Sequence, residues 1–478
     1  MSFSIHGCQQ LLLNDLPNEI LLCIVGYISS RRDVNAFCRT NTRLHNLLNP
    51  YLYLQNIKRR HGSALFWGAK RGQVATVRHL LAGGADINSK DFRSETPLFY
   101  AAKSGKVAMA QFLLENGANI ELLNWHRKSV LHCVAGSRWA DELTILLLLE
   151  RRSDIEATDG SGNTALHLAT FVENETSMRI LLEKGANIEA REGDGSTALH
   201  IAATCAKVAP VQLLLENGAD IEARELTEWC NYTPLHCAMT SYHETTVRTL
   251  LENGANIEAT DRGGGTALHL AALQESEGAI QLLLEKGAKI ESRDSRGQTV
   301  LHVAASRKSA MIVQLLLERR ANMEVKDRNG YTPLLNAIFT LSPNETVVQL
   351  LVEKGANVKA KNNSLLTVLH GVASIGNQAL VQLVVKKGGD IEAKDGFGFT
   401  PLHFAAYSTS DEREAVVCFL IEKGANISAR NNHGQTPLSL ARLHGHEKTA
   451  QLLLTGQAPR FRRIINRCRS VMQKRIAS

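Results

Sequence analysis

The chain has 478 residues, 44% hydrophobic and 21% charged, fractions that exclude a disordered or collagen-like polymer. Its nine cysteines include no Cys-x-x-Cys pair, which excludes a disulfide scaffold and the usual zinc spacings. The net charge of +7 is uneven: Arg460, Arg462, Arg463, Arg467, Arg469, Lys474 and Arg475 sit in a final stretch with no Asp or Glu, and without those seven the remaining 47 cations equal the 47 anions. Nucleic-acid or membrane contact is therefore expected only through that basic tail.

Residues 1–60 read as three short helices. No Lys or Arg precedes Leu11-Leu12-Leu13, and Asp15, Pro17 and Glu19 interrupt the apolar stretch, unlike a secretory leader. Pro17 suits a first helical turn and Glu19 its positive end. Ile20, Leu21, Ile24, Val25 and Ile28 then share one face. Ser30 to Asp33 has the capping-box pattern for a second helix through Val34, Phe37 and Cys38. Leu44, Leu47 and Leu48 give a third helix, stopped near Pro50. From Asp15 to Tyr53 the segment resembles an F-box, on Leu16-Pro17, Glu19-Ile20-Leu21, Ile24, Ile28, Asp33-Val34 and Arg43-Leu44; it departs at Leu44, where the family usually carries Trp. The resemblance implies docking onto the Skp-type adaptor of a cullin–RING ubiquitin ligase through Leu16, Pro17, Ile20, Leu21, Ile24 and Ile28. The alternative is that these helices only cap the chain beyond residue 60.

From Ser63 a phrase of the form Thr-x-Leu-His recurs. Its twelve starts are Ser63, Thr96, Ser129, Thr164, Thr197, Thr233, Thr266, Thr299, Thr332, Thr367, Thr400 and Thr436, at steps of 33 to 36 residues. Each repeat reads as helix, turn, helix, hairpin. Small residues such as Ala271-Ala272 allow the first helix to pack closely, and triplets such as Leu282-Leu283-Leu284 mark the buried stripe of the second. A recurring Gly (117, 185, 218, 254, 287, 355, 388, 424) then suits a left-handed cap; Arg152 and Arg320 replace it, predicting local weakness. Period and phrase identify an ankyrin repeat, which implies an all-α solenoid over residues 61–456 that binds protein partners. Two extra residues in repeats 3 and 9 and three in repeat 11 are expected to lengthen a helix or the turn between helices. Three near Trp229 are expected in a hairpin. An F-box-like start followed by a long ankyrin array resembles a group abundant in filamentous fungi.

Candidate chemistry dissolves into the repeat. Eight histidines (132, 167, 200, 236, 269, 302, 370, 403) hold one phrase position, so they are expected to hydrogen-bond between repeats rather than bind metal or catalyse. Gly193-Asp194-Gly195, Gly263-Gly264-Gly265 and Gly396-Phe397-Gly398 fall where hairpins turn and lack a phosphate-loop Lys. Cys133 and Cys237 fill a slot taken elsewhere by Leu168, Leu270 or Val303, and read as core residues. The sequons at Asn174 and Asn344 are expected to be idle. No cofactor, metal, small-molecule substrate or enzymatic activity is expected.

The departures that point to function are large residues at the hairpin tips: Phe92, Trp125, Trp229 and Phe397. They read either as target-binding anchors or as side chains folded back on their own hairpins. Trp67, after Phe66, reads as core. In the tail (457–478), Phe461, Ile464, Ile465, Cys468, Val471, Met472 and Ile476 recur at helical spacing, giving a basic amphipathic helix that caps the last repeat or serves as an address or anionic contact. The reading is a cytoplasmic or nuclear, non-secreted, non-membrane substrate receptor of a ubiquitin ligase, its target unnamed. The alternative is a capped ankyrin scaffold.

Overall fold

The computed structural model describes residues 63–138, 141–226, 230–240, 243–307, 309–340 and 343–455. The F-box-like segment, Trp229 and the basic tail lie outside them. Among the described residues there are 24 helices in twelve consecutive pairs and no strand, only two isolated bridges, Thr260 to Thr266 and Lys361 to Thr367. The fold is the all-helical repeat expected from the phrase. The helices fall into two compact units, Met1–Ala202 with Ala209–Asp220, and Ala203–Val208 with Ile221–Ser478.

Each repeat starts from its phrase. After the first repeat, whose helix begins on Ser63 itself, the residue following the Thr or Ser opens the first helix; it is Pro in repeats 2, 6, 9, 11 and 12, where a missing N–H costs nothing. Within the first unit, Ser63–Arg71 packs on Pro97–Lys103, and that helix on Val130–Ala135. Within the second, Pro333–Ile338, Val368–Ile375 and Pro401–Tyr407 stack in the same way, while second helices stack on second helices. The approach is closest at Gly371, where a Cβ would lie 2.1 Å from Ile338 Cγ2; only glycine fits.

Second helices end as expected. Gly254 and Gly287 take φ of 91° and 95°, and Arg152 and Arg320 are forced to 62° and 65° at the same place. A left-handed non-glycine residue costs about 1 kcal/mol or more. The extra residues of repeats 3 and 9 lie between the helices, at 136–141 and 339–344, where repeat 7 needs only 274–276. Those of repeat 11 are shared between that turn and a ten-residue second helix, Arg413–Glu422.

In six repeats the phrase histidine joins its neighbour, while buried His167 Nε2 has no hydrogen-bond partner among the described residues. In repeat 8, His302 Nδ1 accepts from the Thr299 backbone N–H at 3.1 Å and meets Thr299 Oγ1 at 2.9 Å, while Nε2 lies 3.0 Å from the carbonyl of Tyr331 in the next repeat. A backbone N–H can only donate, so Nδ1 is the acceptor, the ring is neutral, and Nε2–H donates across the junction. His132 to Asn163 repeats this in the first unit, and His236, His269, His370 and His403 in the second. All eight phrase histidines are buried. Burial is the largest cause lowering the pKa of His132, His167, His236, His269, His302, His370 and His403, outweighing the hydrogen bonds that act to raise it.

Candidate protein-binding surface

Between most repeats the chain turns through a short hairpin that begins on Asp or Asn five residues before the phrase; before repeat 5 it begins on Glu192. The side chain closes the turn from inside: Asp294 Oδ1 accepts from the N–H groups of Arg296 and Gln298 at 2.9 and 2.8 Å, as short polar side chains do in tight turns. The residue two before the phrase then takes a left-handed conformation, which Gly264, Gly297 and Gly330 reach without strain. Successive tips are hydrogen-bonded backbone to backbone. Trp125 N–H donates to Arg93 O at 3.1 Å in the first unit; Ser295 to Gly263 and Arg328 to Arg296 do so in the second, at 2.8 and 2.9 Å.

A second column of bonds was not anticipated from the sequence. In the recurring Asn-Ile-Glu-Ala stretch the Glu carboxylate reaches the next repeat: Glu156 accepts from Asn187 N–H, Glu258 from Lys289, Glu291 from Asn322, Glu324 from Asn357 and Glu392 from Asn426, all at 2.7 to 2.8 Å. Lys359 stands where this Glu recurs and cannot accept. The signal was in the sequence, as a Glu recurring at the repeat period two residues after an Asn.

With the backbones of the described tips engaged in this way, the side chains are free to differ. Phe92 is 77% exposed, Trp125 61% and Phe397 62%, so none of these three folds back into its own hairpin; Trp229, like adaptor-contact candidates Leu16, Pro17, Ile20, Leu21, Ile24 and Ile28, lies outside the described residues. Trp67 is a correction. It is 51% exposed; Phe66 beside it is the buried residue and packs on Tyr100 at 5.5 Å. In the second unit the place four residues after the phrase start helps line a groove of about 790 Å³ across repeats 7 to 9, floored by Leu270, Leu273 and Val303 and walled by Asp294, Ser295 and Arg296. Phe171 and Leu443, seven residues into their repeats like Leu273, are also exposed and were not anticipated.

Other candidates keep structural roles. Cys237 is buried as expected, and its Sγ lies 3.3 Å from Glu225 Oε1. Cys133, at the same repeat position, is only half-buried. Burial nevertheless pushes its thiol up to about 11 and that of Cys237 well up too, so neither is a ready nucleophile. The sequon residues Asn174 and Asn344 cap second helices through Oδ1 and reach the preceding repeat through Nδ2, to Ser137 O at 2.8 Å and Arg307 O at 3.0 Å. Among the described residues no group of three His, Cys, Asp or Glu is placed to hold a metal, and no helix is long and apolar enough to cross a membrane.

The family model "Ankyrin repeats (3 copies)" matches residues 39–124, 65–159, 131–225, 222–294, 289–362 and 363–462. The chain belongs to the ankyrin-repeat family. As an ankyrin-repeat protein it is a protein–protein interaction module. No F-box model matches, and the first ankyrin match begins at residue 39, inside the segment that resembles an F-box. No curated protein matches the chain in sequence. The crystal structure of the human ASB11 ankyrin repeat domain is similar at 28% identity, covering 48% of this chain and 99% of that one, with a TM-score of 0.41.

Proposed function

We propose that this ankyrin protein is the substrate receptor of a cullin–RING ubiquitin ligase, in the manner of F-box proteins with ankyrin arrays. Its tips and groove hold a target protein, and Leu16, Pro17, Ile20, Leu21, Ile24 and Ile28 dock the Skp-type adaptor. The observation that carries the binding half is the set of exposed aromatics, Phe92, Trp125 and Phe397, on tips whose backbone is already fixed. Rigid aromatics lose little freedom on binding and are frequent anchors of interfaces. The mechanism is proximity: a target held near a charged conjugating enzyme reacts at raised effective concentration, with no catalytic group here. Such a receptor works in the cytoplasm or nucleus, where Cys133, Cys205 and Cys237 would stay reduced thiols.

The family match from residue 39 favours a second reading, in which the N-terminal helices only cap the first repeat and the chain is a scaffold. Co-purification with the host's Skp-type adaptor separates the two. Wild type is expected to bind, and Leu16→Ala/Pro17→Ala/Ile20→Ala to lose binding with an unchanged thermal melt. A well-folded wild type that does not bind leaves the scaffold.

A further inference from the structure

We propose that the first hairpin tips of the first unit, around Phe92 and Trp125, bind an acidic segment of a partner protein. The proposal rests on the reading of the tips as a binding surface and adds the chemistry of what they bind.

The charges of these tips are segregated by burial. Every carboxylate is consumed inside the fold. Asp91 Oδ1 accepts from the N–H groups of Arg93 and Glu95, and Oδ2 from Tyr100 Oη at 2.7 Å. Glu95 is buried and pairs with Lys103 at 3.0 Å; Asp159 is buried, closes its own turn and faces Lys128 at 3.7 Å. The cations at the tips stay outside. Arg93 lies over the Phe92 ring at 5.3 Å, and Arg127 is exposed with no ion pair among the described residues. What a partner meets is therefore aromatic and cationic in alternation: Phe92, Arg93, Trp125, Arg127.

Arg127 is held at a cost. Its φ of 58° is the left-handed conformation that Gly162, Gly195, Gly264, Gly297, Gly330, Gly398 and Gly434 supply at the same step of other tips. A cation kept where glycine is easier points to a role for the side chain. Beyond Trp125 the next tip carries only Gly160 and Ser161, and the drop in side-chain size leaves a cleft of about 480 Å³ bounded by Trp125, Arg127, Lys128, Asn163 and Asp159, whose carboxylate is already held by its own turn and by Lys128. It can seat one apolar side chain of a partner against the indole while flanking carboxylates meet the two arginines. Nucleic-acid binding draws its affinity from many phosphate contacts made together, and the two exposed arginines can supply only a few. This favours a short acidic protein segment.

Fluorescence anisotropy on the full chain tests this, with a labelled peptide of four Glu-Glu-Leu units, its Lys-Lys-Leu counterpart and a twelve-base oligo-dT. The acidic peptide is expected to bind, the lysine peptide not, and the affinity to fall as salt rises above about 0.1 M. Arg127→Gly is the decisive variant, because it removes the cation while relieving the backbone. It is expected to weaken acidic-peptide binding about 3- to 10-fold while raising the unfolding midpoint, so misfolding cannot imitate the result. Trp125→Ala is expected to weaken it about 10-fold or more. Unchanged affinity in Arg127→Gly, tighter binding of oligo-dT, or no binding of the acidic peptide overturns the proposal. If both peptides bind equally and both lose binding in Trp125→Ala, the acidic assignment fails while the tips stand as a protein-binding site. Adaptor co-purification depends on none of these outcomes.

Discussion

Repeats 1 to 3 and repeats 7 to 9 are built on the same backbone and present different surfaces. In both, an Asp or Asn closes the hairpin, each tip donates one N–H to the tip before it, and a phrase histidine bonds across the junction. Yet where repeats 7 to 9 carry Gly264, Gly297 and Gly330 at the left-handed step, the early tips carry Ser94 and Arg127, and Phe92 and Trp125 stand where the later tips have Arg262 and Ser295. Position is set by backbone and buried groups, leaving the exposed tip residues free to vary without moving the fold.

That separation can be broken most severely at the histidines. His132→Ala and His302→Ala, one in each region, are each expected to cost about 2–3 kcal/mol, because each removes bonds on both ring nitrogens and strands a buried cap N–H and a carbonyl. Urea unfolding measures both; a large cost in only one region would mean the scaffold is not shared.

Acid should act on both regions together. The folded-state pKa values are lowered from 6.5 for His132 in the first and for His269 and His302 in the second. The unfolded chain therefore takes up protons first as pH falls. Stability is full above about pH 6.5 and is lost progressively as pH falls through the folded values. A stability series from about pH 8 to about pH 5 checks this, and a flat profile would contradict neutral, buried rings.

Smaller effects sharpen the comparison. Arg152→Gly and Arg320→Gly should each raise stability by about 0.5–1 kcal/mol, since the relief of a left-handed side chain exceeds the extra freedom glycine gives the unfolded chain. Gly254→Ala should reverse the sign by a similar amount; nothing lies within 4 Å of its would-be Cβ, so conformation alone is read. Lys359→Glu should add about 0.5 kcal/mol by completing the Glu column at repeat 10. Thermal melts of the four variants would rank them.

Much of this was legible in the sequence because it repeats. The twelve helix pairs, the glycine caps, the neutral structural histidines and the inter-helix insertions all follow from a period and its exceptions. Trp67 and Cys133 were misread because a large or sulfur-bearing residue beside a helical phrase suggests core, whereas the place four residues after the phrase start is buried in some repeats, as at Cys237, and open in others. The Glu column was missed because a bond between residues 31 to 34 apart leaves only a recurrence in the sequence, with no local pattern that names its partner. Arg127 and Leu365 at left-handed tips carried a readable sign too, as non-glycine residues at a step where glycine recurs.

The central claim, that the scaffold does not need the tip aromatics, is tested most directly by urea unfolding of Phe92→Ser/Trp125→Ser. A change within about 0.5 kcal/mol is predicted, as for exposed substitutions. A loss above about 2 kcal/mol would mean that the rings pack on their own hairpins and serve the fold.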